Sequence, residues 1–434
     1  MRVLFTTLPF KAHAYPRVPL AWALRAAGHD VRFASNPDLV DEIARTGLPV
    51  TPVGDPLAPA EMMAGIRERE AAAREADDDP PDPGVLMRMD QDPAELTYDQ
   101  MHGLFTVMTT LVFRNLSPDR TIEDLVALSR EWRPDLVVWD PLGFAGAIAA
   151  EAVGAAHSRL MYGLDLVGRM RQGYLDRVRQ LPPELREDPL QEWLAPVLGR
   201  YGARFDEDVV TGQWTVDPGP AWMRLPVDHH YVTVRPVSYN GRATVPHWLR
   251  DPPPRRRICL TLGLSHREVL GGNRLDIGEL LRGVAGLDVE VVATLDADQL
   301  ATVAQVPPNV RAVGFAPLNE LLPSCAAVIH QGGTGTTQTA LAHGVPQVLL
   351  PGDLWDTRLK ADQLAGSGAV VVVPDAERLT ADELRAALVR VLDDPACAAA
   401  ADRLRTDLLA APAPSQVVPV LELLTAAHRV RPFG

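Results

Sequence analysis

A chain of 434 residues that is 47% hydrophobic and 23% charged carries apolar mass for two or three cores, which excludes a fibrous or disordered protein. Its net charge of −14 and sequence pI near 5.3 exclude a broad surface for nucleic acid or anionic membrane. Cys259, Cys325 and Cys397 lie far apart with no CxxC pair, so neither a zinc site nor a disulfide framework is expected, and a reducing cytoplasm fits.

The opening MRVLFTTL reads as a buried strand, without the basic leader and apolar stretch of a signal peptide. No apolar run reaches the ~20 residues that span a bilayer. VPLAWALRAAG has helical spacing and closes on Gly28 as a C-cap. HDVRFAS, VDEIARTG and LPVTPVG follow as strand, helix and strand. Residues 66–84, IREREAAAREADDDPPDPG, mix charge with proline and predict an exposed helix running into a mobile loop, with a lid as the sharper alternative. RPDLVVWD, FAGAIAAEAVG and AHSRLMYG return to strand, helix and strand. Such alternation makes βαβ units and a parallel sheet.

Residues 216–256 turn proline-rich and predict a connection between domains. A second alternating series then begins, with RRICLTLG, LDVEVVATL, NVRAVGFAP, CAAVIHQGG, PQVLLPG and AVVVV as strands. The expected architecture is α/β, two Rossmann-like β/α/β domains in tandem: residues 1–225, a connection over 226–254, residues 255–412, and a C-terminal helix in 413–434 that could pack back on the first domain.

The stretch with most chemistry is VIHQGGTGTTQTALAHGVPQ, where a strand ends at His330 and glycines and hydroxyls precede a helix. The free N–H groups of a helix start, approached closely over glycine, make a phosphate site; the other reading is a loop that needs glycine only to turn. Neither GxGxxG nor a Walker loop is present. Asp296 and Asp298 in LDADQ match a metal-binding DxD, but they open the predicted helix ADQLATVA, where an aspartate N-cap accounts for them.

His330 with its glycine-rich turn, the HGVPQ and WD pairs that follow, and His13 in HAYP ahead of AAGH resemble family 1 glycosyltransferases with the GT-B fold, in which two Rossmann-like domains face across a cleft. VPLAWALRAAGHDVR, REDPLQEWL, FDEDVVTGQWTVDP, SYNG and PLNELLPSC are similar to actinomycete enzymes that move deoxysugars, aminosugars among them, from TDP onto polyketides of macrolide or spinosyn type.

The resemblance implies an inverting, metal-independent transferase whose co-substrate is a TDP-sugar and which needs no cofactor. His13 is then the general base and Asp140 its carboxylate partner; a helix-capping Asp140 is the alternative. His330, Gly332, Gly333, Thr334, Gly335 and Thr336 are expected on the diphosphate, with Ser265 and less securely Arg267 beside them. Phe315, Ala316 and Leu318 are expected at thymine, Gln338 at the ribose, and Asp356 and Thr357 at the sugar. Gln338 stands where the family usually has glutamate, Thr357 where glucose-using members have glutamine, and Gln331 where many relatives have a second histidine. The first two fit a deoxysugar donor, which has fewer hydroxyls to satisfy.

A hydrophobic aglycone is assigned to the first domain, over the variable region from about Pro59 to Phe113 and near Met161 to Met170. Phe105, Met108, Phe113, Met161, Asp165 and Met170 are its candidate contacts, with core packing as the alternative for the apolar ones. The resemblance also implies an auxiliary activator protein related to haem-thiolate monooxygenases and leaves a homodimer open. Other readings are a catalytically weak partner subunit, a nucleotide-sugar epimerase and a UDP-glucose-dependent, macrolide-inactivating glucosyltransferase.

Overall fold

The computed structural model describes residues 1–58, 89–263, 274–352 and 355–430. They form two compact units. One joins the described residues up to Arg235 with those from Pro412 onward, and the other spans Pro236–Ala411. The charged segment 66–84 lies outside the described residues.

Among the described residues the first unit is built on a seven-stranded parallel sheet in the order β3-β2-β1-β4-β5-β6-β7. Its strands are β1 Arg2–Thr6, β2 Asp30–Ser35, β3 Val50–Pro52, β4 Leu136–Trp139, β5 Ala156–Leu160, β6 Trp214–Asp217 and β7 Tyr231–Thr233. β4 and β5 are buried throughout, as parallel strands covered on both faces must be. Pro52, which cannot donate to a ladder, falls on the edge strand β3.

Five helices of this unit matter below: α1 Lys11–Ala14, α2 Val18–Ala26, α3 Ala145–Glu151, α4 Leu166–Val178 and, far along the chain, Pro414–His428. Pro19 sits in the first turn of α2, where its missing N–H costs nothing. α2 ends at Gly28, whose φ of +91° lets the chain turn into β2. α3 lies close over β1 and β4 because Gly146 has no side chain: a Cβ there would stand 2.6 Å from that of Trp139 and 2.3 Å from Thr6 Oγ1.

The second unit carries a six-stranded parallel sheet, among the described residues, in the order β10-β9-β8-β11-β12-β13. The strands are β8 Arg256–Thr261, β9 Val289–Thr294, β10 Val310–Val313, β11 Cys325–His330, β12 Gln347–Leu349 and β13 Val370–Val372. Two of its helices are α5 Thr334–His343 and α6 Thr357–Ala365; the late helix Pro414–His428 is α7. Ile258, Leu260, Val291, Ile329 and Val348 form one buried layer between sheet and helices.

β6 and β7 were not legible as strands. β7 lies inside the stretch expected to be connection, and at four and three residues neither is long enough for alternation to stand out from its prolines and turns. α7 lies on the first unit: His29 Nε2 meets Glu422 Oε1 at 3.0 Å, and the rings of His428 and Trp214 are 5.4 Å apart.

Each sheet has one switch point. In the first, the chain moves outward from β1 to β2 and β3, then returns to place β4 on the other side of β1. In the second, β8, β9 and β10 run outward before β11 takes the other side of β8. Ligands of open α/β sheets bind at the carboxyl ends of the strands flanking such a point.

Candidate active site

The first switch point holds His13 and Asp140. His13 lies on α1, which follows β1, and Asp140 is the residue after β4. They are brought together with His13 Nδ1 2.9 Å from Asp140 Oδ2. The imidazole lies between Phe10 and Tyr162, with centroid distances of 5.4 and 4.0 Å. Its side chain is 12% exposed, so the nitrogen not used on Asp140 can still reach solvent.

Asp140 also accepts from Arg17 Nη2 at 2.8 Å and, through Oδ1, from the Leu142 N–H at 3.1 Å. Burial pushes this carboxyl upward, but the charges of His13 and Arg17 outweigh it and hold the group below its ordinary value. The helix-capping alternative is met only by the turn contact to Leu142. Its side-chain partners are the His13 imidazole and the Arg17 guanidinium, an arrangement that can orient an imidazole.

The second switch point holds the glycine-rich loop. Gly332 has φ +82° and a Cβ there would fall 2.9 Å from Thr357 Cγ2, so the fold itself requires glycine. Gly333 and Gly335 differ. Neither has a positive φ, and among the described residues nothing beyond the chain neighbours and the helix's own backbone lies within 4 Å of where a Cβ would be. Among the described residues the space over them is open. Gly333 is the N-cap of α5, which has neither a side-chain cap nor an acidic residue in its first turn, leaving the helix-start N–H groups for an anion.

His330 does not face that space. It is buried, its Nε2 lies 2.8 Å from Gln347 Oε1, and its Nδ1 accepts from the Gly332 N–H at 3.1 Å. Burial lowers its pKa to about 4. The expected direct contact with diphosphate is therefore corrected: a neutral imidazole, engaged on both nitrogens, shapes the loop from beneath.

Lys360, which sequence reasoning missed, is buried and donates to Thr334 Oγ1 at 2.8 Å and to Asp356 Oδ1 at 3.0 Å. It ties the first turn of α5 to the start of α6. Asp356 makes no side-chain cap for α6, so capping does not explain it. Trp355 beside it has φ +54°, a costly conformation for a bulky residue that is typical of functional loops. Phe315 is 53% exposed just beyond β10, whereas Ala316 is buried and Leu318 half-buried. Gln338 and Thr336 lie half-buried on α5. Ser265 and Arg267 lie outside the described residues.

The acceptor assignments need correction. Phe105, Met108, Phe113, Met161 and Met170 are all buried. Phe113 packs edge-on against Phe144 at 5.0 Å and Phe105 against Tyr174 at 5.2 Å, so these residues build the core of the first unit. Asp165 caps α4 through the Gly168 N–H at 2.8 Å, receives Arg159 Nη1 and Nη2 at 2.9 and 2.5 Å, and accepts from the Tyr231 hydroxyl at 2.6 Å. Its carboxylate is spent inside the protein. Asp296 caps Ala297–Ala301 in a reciprocal capping box with Gln299, as the helix-start reading expects.

Residues 22–263 match the family described as erythromycin biosynthesis protein CIII-like, N-terminal domain, and residues 278–424 match its C-terminal domain. The chain belongs to this family. Among its EryCIII-like relatives is the aclacinomycin-T 2-deoxy-L-fucose transferase of Streptomyces galilaeus, 52% identical over 99% of this chain and 97% of the relative. The 3-alpha-mycarosylerythronolide B desosaminyl transferase of Saccharopolyspora erythraea is 47% identical over 99% of each chain. Of solved structures, the glycosyltransferase VinC in complex with DTDP superposes with a TM-score of 0.87 at 38% identity, over 98% of this chain and 100% of VinC. The spinosyn forosaminyltransferase SpnP superposes with a TM-score of 0.80 at 42% identity, over 98% and 99%. The EryCIII-like chain thus has the GT-B fold of these glycosyltransferases.

Proposed function

We propose that this protein is a glycosyltransferase that moves a deoxysugar from a TDP-sugar to a hydroxyl of a polyketide-type aglycone, with inversion at the anomeric carbon. The observation that carries the reading is the uncapped, glycine-opened start of α5 in a chain that aligns end to end with a DTDP-bound relative. The His13–Asp140 pair supplies the base.

His13 takes the acceptor proton through Nε2 as the acceptor oxygen attacks the anomeric carbon; the bond to the diphosphate oxygen breaks and TDP leaves with the electron pair. Asp140, already ionised, accepts from Nδ1–H, which sets the tautomer and stabilises the imidazolium. The charge growing on TDP is met by the backbone N–H groups around Gly333 to Thr336. Lys360 holds Thr334 for that task. Phe315 offers the exposed ring on which thymine stacks, Gln338 the ribose contact, and Asp356 and Thr357 the sugar contact.

Nothing in this scheme needs a metal or cofactor, and the reaction belongs in the cytoplasm; no single helix among the described residues is long and apolar enough to cross a membrane. An auxiliary activator enters the proposal through the family resemblance, and a homodimer stays open.

Calorimetric titration with TDP and UDP, EDTA present throughout, tests the donor half. TDP binding tighter than UDP and unaffected by EDTA is expected. UDP binding as tight as TDP would bring forward the UDP-glucose reading; no binding of either nucleotide, or a metal requirement, would overturn the donor site and bring forward the partner-subunit reading.

A further inference from the structure

Arg17 has no part in the scheme so far, yet its guanidinium is completely buried. Arginine is almost never found so unless it is paired, because desolvating its charge is costly. It closes the short turn Tyr15–Arg17 between α1 and α2, and its bonds converge on the dyad. Nη1 donates to the backbone carbonyl of His13. Nη2 donates to Asp140 Oδ2 at 2.8 Å and to the Leu160 carbonyl, at the end of β5, at 3.2 Å. Nε is buried without a hydrogen-bond partner among the described residues, so the group is held by its two terminal nitrogens despite an unmet donor. The oxygen that Nη2 uses is the one that His13 Nδ1 uses.

We propose that Arg17 is a positioning residue for the His13–Asp140 pair, anchoring both the backbone of the base and the carboxylate that orients it, and sharing one carboxylate oxygen with the imidazole. The proposal rests on the reading of His13 as the base. A fixed cation on Asp140 Oδ2 keeps the carboxylate ionised whatever the state of His13. It also offsets part of the attraction that the carboxylate exerts on an imidazolium, so the ring gives up its proton more readily between turnovers. Among the described residues Tyr162, beyond β5, stacks on the His13 ring, while Glu42 on the neighbouring helix is engaged by the Tyr15 hydroxyl at 2.5 Å and faces Lys11 of α1. None of them lies between Arg17 and Asp140 Oδ2, which are in direct contact.

The test follows the His13 ring by NMR in histidine-labelled protein, its signal assigned with His13→Ala, across pH in the wild type, Arg17→Leu and Arg17→Lys. Steady-state transfer is measured in parallel. Removing the cation should raise the titration midpoint of the ring in Arg17→Leu by about one pH unit, and Arg17→Lys should leave it near the wild-type position. In Arg17→Leu kcat should fall about ten- to a hundred-fold, with KM for the donor little changed, and lysine should restore part of it.

A midpoint unmoved in Arg17→Leu overturns the proposal even if transfer falls. If Arg17→Leu does not fold, Arg17→Gln, neutral but able to donate to Asp140, is read by the same criterion. A midpoint that moves in a protein that transfers no sugar sinks the base reading and leaves the Arg17–Asp140–His13 arrangement standing.

Discussion

At the residue scale the scheme divides labour between an open nitrogen and a closed one. His13→Ala should lower kcat about 10²- to 10⁴-fold, with little effect on TDP affinity measured by calorimetry. Asp140→Asn keeps the shape but loses the charge that favours imidazolium, and should lower kcat while shifting its pH dependence. Phe315→Ala should weaken TDP by about 1–3 kcal/mol, the usual worth of one aromatic under one base, without altering thermal stability, because an exposed ring contributes little to the core. His13 and Asp140 were both legible as candidates, one in HAYP and one at a strand end. Their pairing across 127 residues is a product of the β1–β4 crossover, which spacing alone does not give. Asp165 misled for the same reason: YGLD looks like a site aspartate until Arg159 and Tyr231 are seen to consume it.

At the element scale the glycine-rich loop separates a fold requirement from a ligand requirement. Gly332→Ala combines a left-handed backbone with a clash against Thr357, and should cost about 1–3 kcal/mol of stability in chemical denaturation. Gly335→Ala, inside α5 with open space over it among the described residues, should leave stability unchanged or raise it by up to about 1 kcal/mol and still weaken TDP binding. A Gly335→Ala protein that binds TDP as well as the wild type would remove α5 from the donor site. The loop was legible because strand, glycines and helix are contiguous. Lys360 was missed although Asp356 and Lys360 stand at helical i,i+4 spacing, because no local pattern tells that its ammonium reaches Thr334 on another helix. The buried Phe105, Met108 and Phe113 show the converse: an apolar run reads the same whether it lines a pocket or fills a core.

At the scale of the whole molecule, buried neutral imidazole makes stability depend on pH. Burial holds His330 in the second unit at about 4 and lowers His343 in the same direction. The unfolded chain protonates histidine near 6.5, so between about 6.5 and 4 it binds more protons than the folded one and stability falls as pH falls. For His330 the loss approaches about 3 kcal/mol by the lower limit. Urea unfolding at pH 7.5, 6 and 5 should show this decline, to which His229 of the first unit, also lowered to about 4 by burial, adds, and His330→Asn should reduce it; a variant as pH-sensitive as the wild type would place the dependence elsewhere. The two parallel sheets were legible from strand and helix rhythm, while β6 and β7 were not, being short additions at one edge of the first sheet.

The return of α7 to the first unit has a consequence for synthesis. The second unit is continuous in the chain, but the first closes only when Pro414–His428 arrives to cover its place against α2 and β5. A ribosome adding roughly 5–20 residues per second needs on the order of ten seconds or more to make the intervening unit. During that interval the nascent chain carries His13 on an unfinished scaffold, and a helix made after the second unit completes the first.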